Sequence, residues 1–312
     1  MTTVDILVER ERLWAMHPLI TESAILPTRP VQSAVKRVLG LARKARSSMA
    51  FWADPVTGKS SCLRAIEATV LERIPGCGVL VLEAVEDSQS AEGRLLIQIL
   101  KQLDYAHKID STLAGKRDQV HRALMALAGT AGHLFLLIDE AQEVSNNEFA
   151  WLKAVINGLS RKGLKVTTIL FGQRELKKRR DQLYREGRSD LGERFMKMLI
   201  EFKKCCAESD LLTICEAIDC KSEYPVGSGW TYTQLLFPRA FRAGFRIRDL
   251  VPTLWAGLHD QMPRELLARG LPMELVASVI ANLCLVAKDL DDADMSLSPE
   301  LIGKAIKVGI AG

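Results

Sequence analysis

The stretch Ala53-Asp54-Pro55-Val56-Thr57-Gly58-Lys59-Ser60 places a lysine and a hydroxyl directly after a glycine. It fits the pattern G-x-x-x-x-G-K-[ST] at every fixed position except the first, where alanine replaces glycine. In that pattern the N–H groups of a tight turn, with the helix start behind it, surround phosphate oxygens. The lysine adds a point charge at the β- and γ-phosphates, and the hydroxyl is a ligand for Mg2+. Asp54, Pro55, Val56, Thr57, Gly58, Lys59, Ser60 and Ser61 are the expected phosphate-binding residues, Ser61 supplying a further hydroxyl. Alanine tolerates positive φ poorly, so the expectation at Ala53 is impaired loop geometry or affinity.

Further along, the apolar run Leu134-Phe135-Leu136-Leu137-Ile138 ends in Asp139 and Glu140. This suits a buried strand whose terminal carboxylates face a nucleotide, Asp139 holding Mg2+ through water and Glu140 polarising the attacking water. A strand that simply ends in solvated carboxylates is the competing reading, and the upstream phosphate loop weighs against it. Glu140 also favours hydrolysis over binding alone. In Thr167-Thr168-Ile169-Leu170-Phe171-Gly172-Gln173, the polar Gln173 ends the next apolar run and is placed to sense a γ-phosphate. Arg188 and Arg194 precede the last strand candidate, where an arginine can reach a neighbouring subunit's nucleotide; Arg246 begins a later helix and is a candidate to touch the nucleotide in cis. Taken singly, such arginines are more often surface ion-pair partners.

These groups work together only on a scaffold that brings them to one edge. Apolar runs at 49–52, 79–85, 134–138, 166–171 and 196–202, the fourth rich in β-branched residues, read as strands. Helical periods at 31–46, 60–74, 95–103, 120–127, 149–159 and 174–183 alternate with them. Alternation of this kind predicts a three-layer α/β domain with a parallel sheet between helices. Beyond 207 the strand signal disappears, and 211–218, 233–241, 247–258, 274–287 and 299–308 read as helices. Ser298-Pro299-Glu300 gives the last a cap and a proline at its first position. The expected organisation is an N-terminal arm at 1–30, broken by Pro18, Pro27 and Pro30, an ATPase core at 31–205 and a small helical lid at 206–312.

Composition narrows the setting. No apolar run approaches the ~20 residues of a membrane span. Asp5, Glu9 and Glu11 interrupt any signal-peptide core, so the expectation is a cytoplasmic chain without a membrane partner. The seven cysteines (62, 77, 205, 206, 215, 220 and 284) form no CxxC pair and read as reduced thiols rather than a zinc site or a disulfide framework. Net charge is only +4, but residues 161–180 carry eight basic side chains against one acid, Glu175. Lys177, Lys178, Arg179 and Arg180, then Arg161, Lys162 and Lys165, are the candidates for contact with a polyanion on one face. No aromatic residues interleave them, so base stacking is not indicated. A solvated helix face is the bland alternative.

Taken together, these motifs resemble those of AAA+ ATPases. Ile138-Asp139-Glu140-Ala141-Gln142, Thr168-Ile169-Leu170-Phe171-Gly172-Gln173-Arg174-Glu175-Leu176 and Gly192-Glu193-Arg194-Phe195 are similar to the TnsC/TniB/MuB group, ATP-dependent regulators of DDE transposases. Ala53 departs from that group's glycine. The resemblance implies binding of ATP and Mg2+, assembly as a homo-oligomer (a ring or helical filament) on double-stranded DNA, and recruitment of a transposase and a target-selection protein. It makes Ser60 and Asp139 the Mg2+ residues and Glu140 catalytic. It also casts Gln173 as sensor 1, Arg194 or failing that Arg188 as the trans finger, and Arg246 as sensor 2. AAA+ ATPases of secretion or signalling, or of helicase-loader type, are the alternatives, and the basic 161–180 stretch weighs against the former.

Overall fold

The computed structural model describes residues 6–44, 46–86 and 90–311. Five parallel strands form one sheet: β1 (Arg46–Trp52), β2 (Gly78–Glu83), β3 (His133–Asp139), β4 (Lys165–Gly172) and β5 (Leu199–Glu201). Their spatial order is β2-β3-β4-β1-β5, so β1 pairs with β4 on one side and β5 on the other. In register, Trp52 lies opposite Gly172, and Ile138 opposite Leu170. The ends of β1, β3 and β4 therefore finish at one edge. β3 is buried along all but its last residue, as a central parallel strand covered on both faces requires.

The helices between these strands supply the two outer layers. They are α3 (Lys59–Arg73), α4 (Glu92–Gln102), α5 (Leu113–Leu127), α6 (Asn146–Arg161), α7 (Glu175–Arg185) and α8 (Ser189–Phe195). Leu96, Ile99, Leu124, Phe149 and Ile156 pack with Leu134, Leu136 and Leu170 of the sheet in a single core. α6 starts cleanly because Ser145 and Glu148 form a reciprocal capping box. Phe51 and Phe171 stack at 4.8 Å across the β1–β4 pair.

By contacts the chain divides into two compact units, one of Met1–Gln32, Val56–Gly58 and Lys203–Gly312 and one of Ser33–Pro55 and Lys59–Phe202. The first contains α1 (Ile6–Leu13), α9 (Glu208–Cys220), α10 (Tyr232–Leu236), α11 (Pro238–Ala243), α12 (Val251–Gln261), α13 (Arg264–Arg269), α14 (Met273–Val286) and α15 (Pro299–Ala311); α2 (Arg29–Leu41) runs through the boundary. The opening residues do not stand apart from the helical unit. Trp14 and Leu19 belong to the same core as Ile214, Phe237, Leu254 and Ile280, and Arg10 donates to the Leu236 carbonyl at 2.7 Å. The single helix expected over 233–241 is two, because Pro238 has no N–H to continue the ladder and restarts the helix at its first position. Among the described residues all seven cysteines are free, no cluster of three or more His, Cys, Asp or Glu side chains forms a metal cage, and no helix is long and apolar enough to cross a membrane.

Candidate functional site

The phosphate loop joins β1 to α3, and its strain is not where the alanine substitution suggested. Ala53 directly follows β1: it is 1% exposed and its N–H donates to the Gly172 carbonyl at 3.0 Å. The left-handed positions of the loop are Val56, at φ 54°, and Gly58, at φ 87°. A glycine carries Gly58 without cost, whereas a β-branched valine with positive φ is an outlier held only by its surroundings. Ala53 is not a positive-φ residue, so the backbone strain expected of an alanine there does not arise. Pro55 and Val56 are exposed, Thr57 is buried, and Ser61 is half-buried in the first turn of α3.

Behind the loop, the acidic end of β3 meets the start of α3. The Ser60 hydroxyl donates to Asp139 Oδ2 at 2.9 Å. A hydroxyl and a carboxylate at that spacing are hard oxygen ligands of the kind Mg2+ takes while keeping waters and substrate phosphate oxygens. Lys59, 7% exposed, holds its ammonium 3.7 Å from Glu140 Oε1.

Glu140 is itself in the left-handed region, at φ 47°. Its N–H donates to Asp139 Oδ1 at 2.9 Å. Two carboxamides converge on Glu140 Oε2, from Gln142 at 2.6 Å and from Gln173 at 3.1 Å. Burial pushes the Glu140 carboxyl up, but those donated hydrogen bonds and the Lys59 charge outweigh it and leave the group below its ordinary value. Glu140 is therefore an anion at neutral pH, poised as a base.

Gln142 has no role that its sequence position reveals, although it stands two residues past Glu140. Two further residues lie beside the loop, neither of them assigned to it by the sequence. Arg174 makes a two-pronged ion pair with Asp54, at 2.5 and 3.2 Å, and its guanidinium lies 6.0 Å from the Trp52 ring. Lys177 sets its ammonium 3.3 Å above the same ring.

The basic residues of 161–180 do not share one face. Arg161, Lys162 and Lys165 are exposed where the chain enters β4. Lys177, Lys178, Arg179 and Arg180 are on α7, which leaves from the other end of that eight-residue strand. At about 3.3 Å per residue the two ends are roughly 23 Å apart. Of the α7 group, Lys177 is on Trp52, Arg179 donates to the Gln142 carbonyl at 3.1 Å, Arg180 pairs with Asp181 at 3.4 Å, and Lys178 is exposed.

Arg188 caps the start of α8, 3.7 Å from Asp190, and Arg194 lies half-buried near its end, its carbonyl accepting from the Ser48 hydroxyl. Arg246 belongs to the helical unit. The buried Asp219 carboxylate accepts from the N–H groups of Ile247 and Arg248, at 3.1 and 3.0 Å, and so fixes the backbone beside it. The Arg246 guanidinium lies 3.6 Å over Phe241 and donates to the carbonyls of Phe241 and Phe245, at 2.9 and 2.7 Å.

A five-stranded parallel sheet in this order, with a phosphate loop after β1, acids after β3, a polar residue after β4 and a helical C-terminal region, defines an AAA+ P-loop fold. Residues 42–179 match a family described as AAA domain. The ORC2 protein of Aeropyrum pernix, solved with ADPNP and ADP, has a similar structure with a TM-score of 0.61 at 15% identity, over 94% of this chain and 72% of that one. Cdc6p from Pyrobaculum aerophilum gives 0.56 at 13%, over 93% and 70%. Drosophila ORC bound to DNA gives 0.53 at 13%, over 89% and 66%. At such identities the likeness is one of fold. No curated protein matches in sequence.

Proposed function

We propose that this chain is a Mg2+-dependent ATPase that binds duplex DNA and regulates transposition, oligomerising on target DNA and recruiting or activating a DDE transposase. The observation that carries the ATPase reading is the convergence of Lys59, Gln142 and Gln173 on the Glu140 carboxylate, beside the Ser60–Asp139 pair. Residues 54–61 cradle the phosphates, with Lys59 at the β- and γ-oxygens. Mg2+ at Ser60 and Asp139 would offset charge that develops on the phosphates. Glu140 accepts a proton from water as that water's oxygen attacks the γ-phosphorus; the bond from phosphorus to the β–γ bridging oxygen breaks, and ADP leaves with inorganic phosphate. Gln173 orients the γ-phosphate or the water. Arg194, or failing it Arg188, serves a neighbouring subunit's nucleotide, and Arg246 the nucleotide of its own chain.

DNA is supported by the lysines and arginines of 161–180, which suit phosphate contacts without base readout. One protein of similar structure, Drosophila ORC, was solved bound to DNA. The transposition branch rests on the resemblance of residues 138–142, 168–176 and 192–195. The likeness in fold to the ORC2 and Cdc6p structures supports one second reading, an ATPase of helicase-loader type.

The discriminating experiment mixes purified protein with duplex DNA and ATP, ADP or a non-hydrolysable analogue, and images the result by electron microscopy. Nucleotide-dependent filaments that bind a DDE transposase are expected. Absence of DNA binding in every nucleotide state overturns the reading, and nucleotide-dependent capture of a replicative helicase instead of a transposase moves it to the loader class.

A further inference from the structure

The network around Glu140 has a centre that is neither an acid nor a phosphate ligand. Gln142 is 8% exposed, and its carboxamide bridges three groups. Its nitrogen donates to Glu140 Oε2 at 2.6 Å and to Glu143 Oε1 at 3.1 Å, and its oxygen accepts the Gln173 backbone N–H at 2.9 Å. One side chain thus ties the residue after β3 to the residue after β4.

Gly172 gives the second, independent observation. A Cβ built there would stand 2.8 Å from Gln142 Oε1, closer than real Cβ contacts come, and 3.2 Å from Leu176 Cδ2. Gly172 has no positive φ to demand glycine. What its bare backbone provides is room for the carboxamide.

We propose that Gln142 is the positioning residue of this site, holding the Glu140 carboxylate and Gln173 in the one relative geometry that hydrolysis needs. The inference rests on the ATPase reading above. When the link is cut, Glu140 and Gln173 lose their fixed relative geometry while Lys59, Ser60 and Asp139 keep their places, so nucleotide affinity is unaffected while turnover falls. A misplacement of about 1 Å at a reacting group costs on the order of 100-fold in rate. Arg179 holds the Gln142 carbonyl, so the link also reaches α7.

The test compares wild type with Gln142→Ala and Gly172→Ala. Each is measured for nucleotide affinity by titration calorimetry, for steady-state kcat and KM, and for folding by circular dichroism. Gly172→Ala removes no polar group; its added Cβ crowds the carboxamide most closely and Leu176 Cδ2 less so. The expected result is kcat about 10- to 100-fold lower in both variants, with the nucleotide Kd within about twofold of wild type. Unchanged kcat in Gly172→Ala, or equal loss of affinity and turnover in both variants, overturns the positioning role. A wild type that binds ATP and turns none over fails the ATPase reading itself, a different result from either.

Discussion

The proposed nucleotide site and the basic stretch at 161–180 are organised in opposite ways. The site's residues are scattered through the chain at 59, 60, 139, 140, 142 and 173, yet they finish within hydrogen-bonding reach of one another. The basic residues are nearly contiguous in sequence, yet β4 carries them to opposite ends of the sheet, and part of the α7 group turns inward to Trp52 and Gln142. Proximity in a parallel α/β fold is set by register: residues that follow adjacent strands meet at one edge, while residues on either side of one strand are separated by its length. A charge run that brackets a strand is therefore two surfaces.

The largest break in the comparison would come at its centre. Lys59→Ala removes the buried ammonium at the phosphates, and nucleotide binding should fall at least about 100-fold by calorimetry, since charge-assisted contacts are the strong ones. Retained affinity would mean that the scattered residues do not converge on a nucleotide. Next, Glu140→Gln should keep ATP affinity and reduce hydrolysis by about 10²- to 10⁴-fold, the usual contribution of a positioned base. Wild-type hydrolysis should hold through neutral pH and fall only on acidification past the ordinary carboxylate range, because Glu140 is held below it.

The divided charge makes a smaller and more diagnostic prediction. Reversing Arg161, Lys162 and Lys165 to Glu leaves the nucleotide site untouched, so ATPase activity without DNA should not change. DNA affinity should fall at all sequences, and the slope of log K against log salt should shrink by about 0.9 for each DNA phosphate no longer neutralised. Reversing Lys177, Lys178, Arg179 and Arg180 should weaken DNA binding and also change basal hydrolysis, through Trp52 and the Gln142 carbonyl. Identical effects of the two sets on both readouts would restore a single basic face.

Much of this was legible in the sequence because parallel strands and phosphate loops leave local signatures. Apolar runs marked all five strands and glycine and lysine marked the turn, while the pair of acids after 138 marked the edge. Ala53 differs from its expectation: the sequence pattern assigns it a glycine's duty, while the structure leaves positive φ to Val56 and Gly58. Gln142 is visible as a residue two positions past Glu140, but its role depends on the left-handed turn at Glu140 and on space beside Gly172, neither of which has a periodic signal. The division of 233–241 is marked by Pro238, whose consequence is clear only once the helix is seen to restart.

The smallest effect bears on why α7 is held where it is. Arg174 and Lys177 are one helical turn apart, and both address the end of β1, one through Asp54 and the other through the face of Trp52. Both cations are exposed, so the cation–π contact is worth only about 0.5–1 kcal/mol. Lys177→Met keeps the aliphatic length and removes the charge. It should lower stability by no more than that amount in urea titration and leave nucleotide affinity unchanged. Lys177→Glu should cost more than Lys177→Met, because it sets a carboxylate against the negative ring face and adds an acid beside Asp54. If instead the two variants are equally stable, Lys177 is an ordinary surface charge that happens to cross the ring, α7 is held by the apolar packing of Leu176 and Leu183, and its cations are free for a polyanion as the sequence alone suggested.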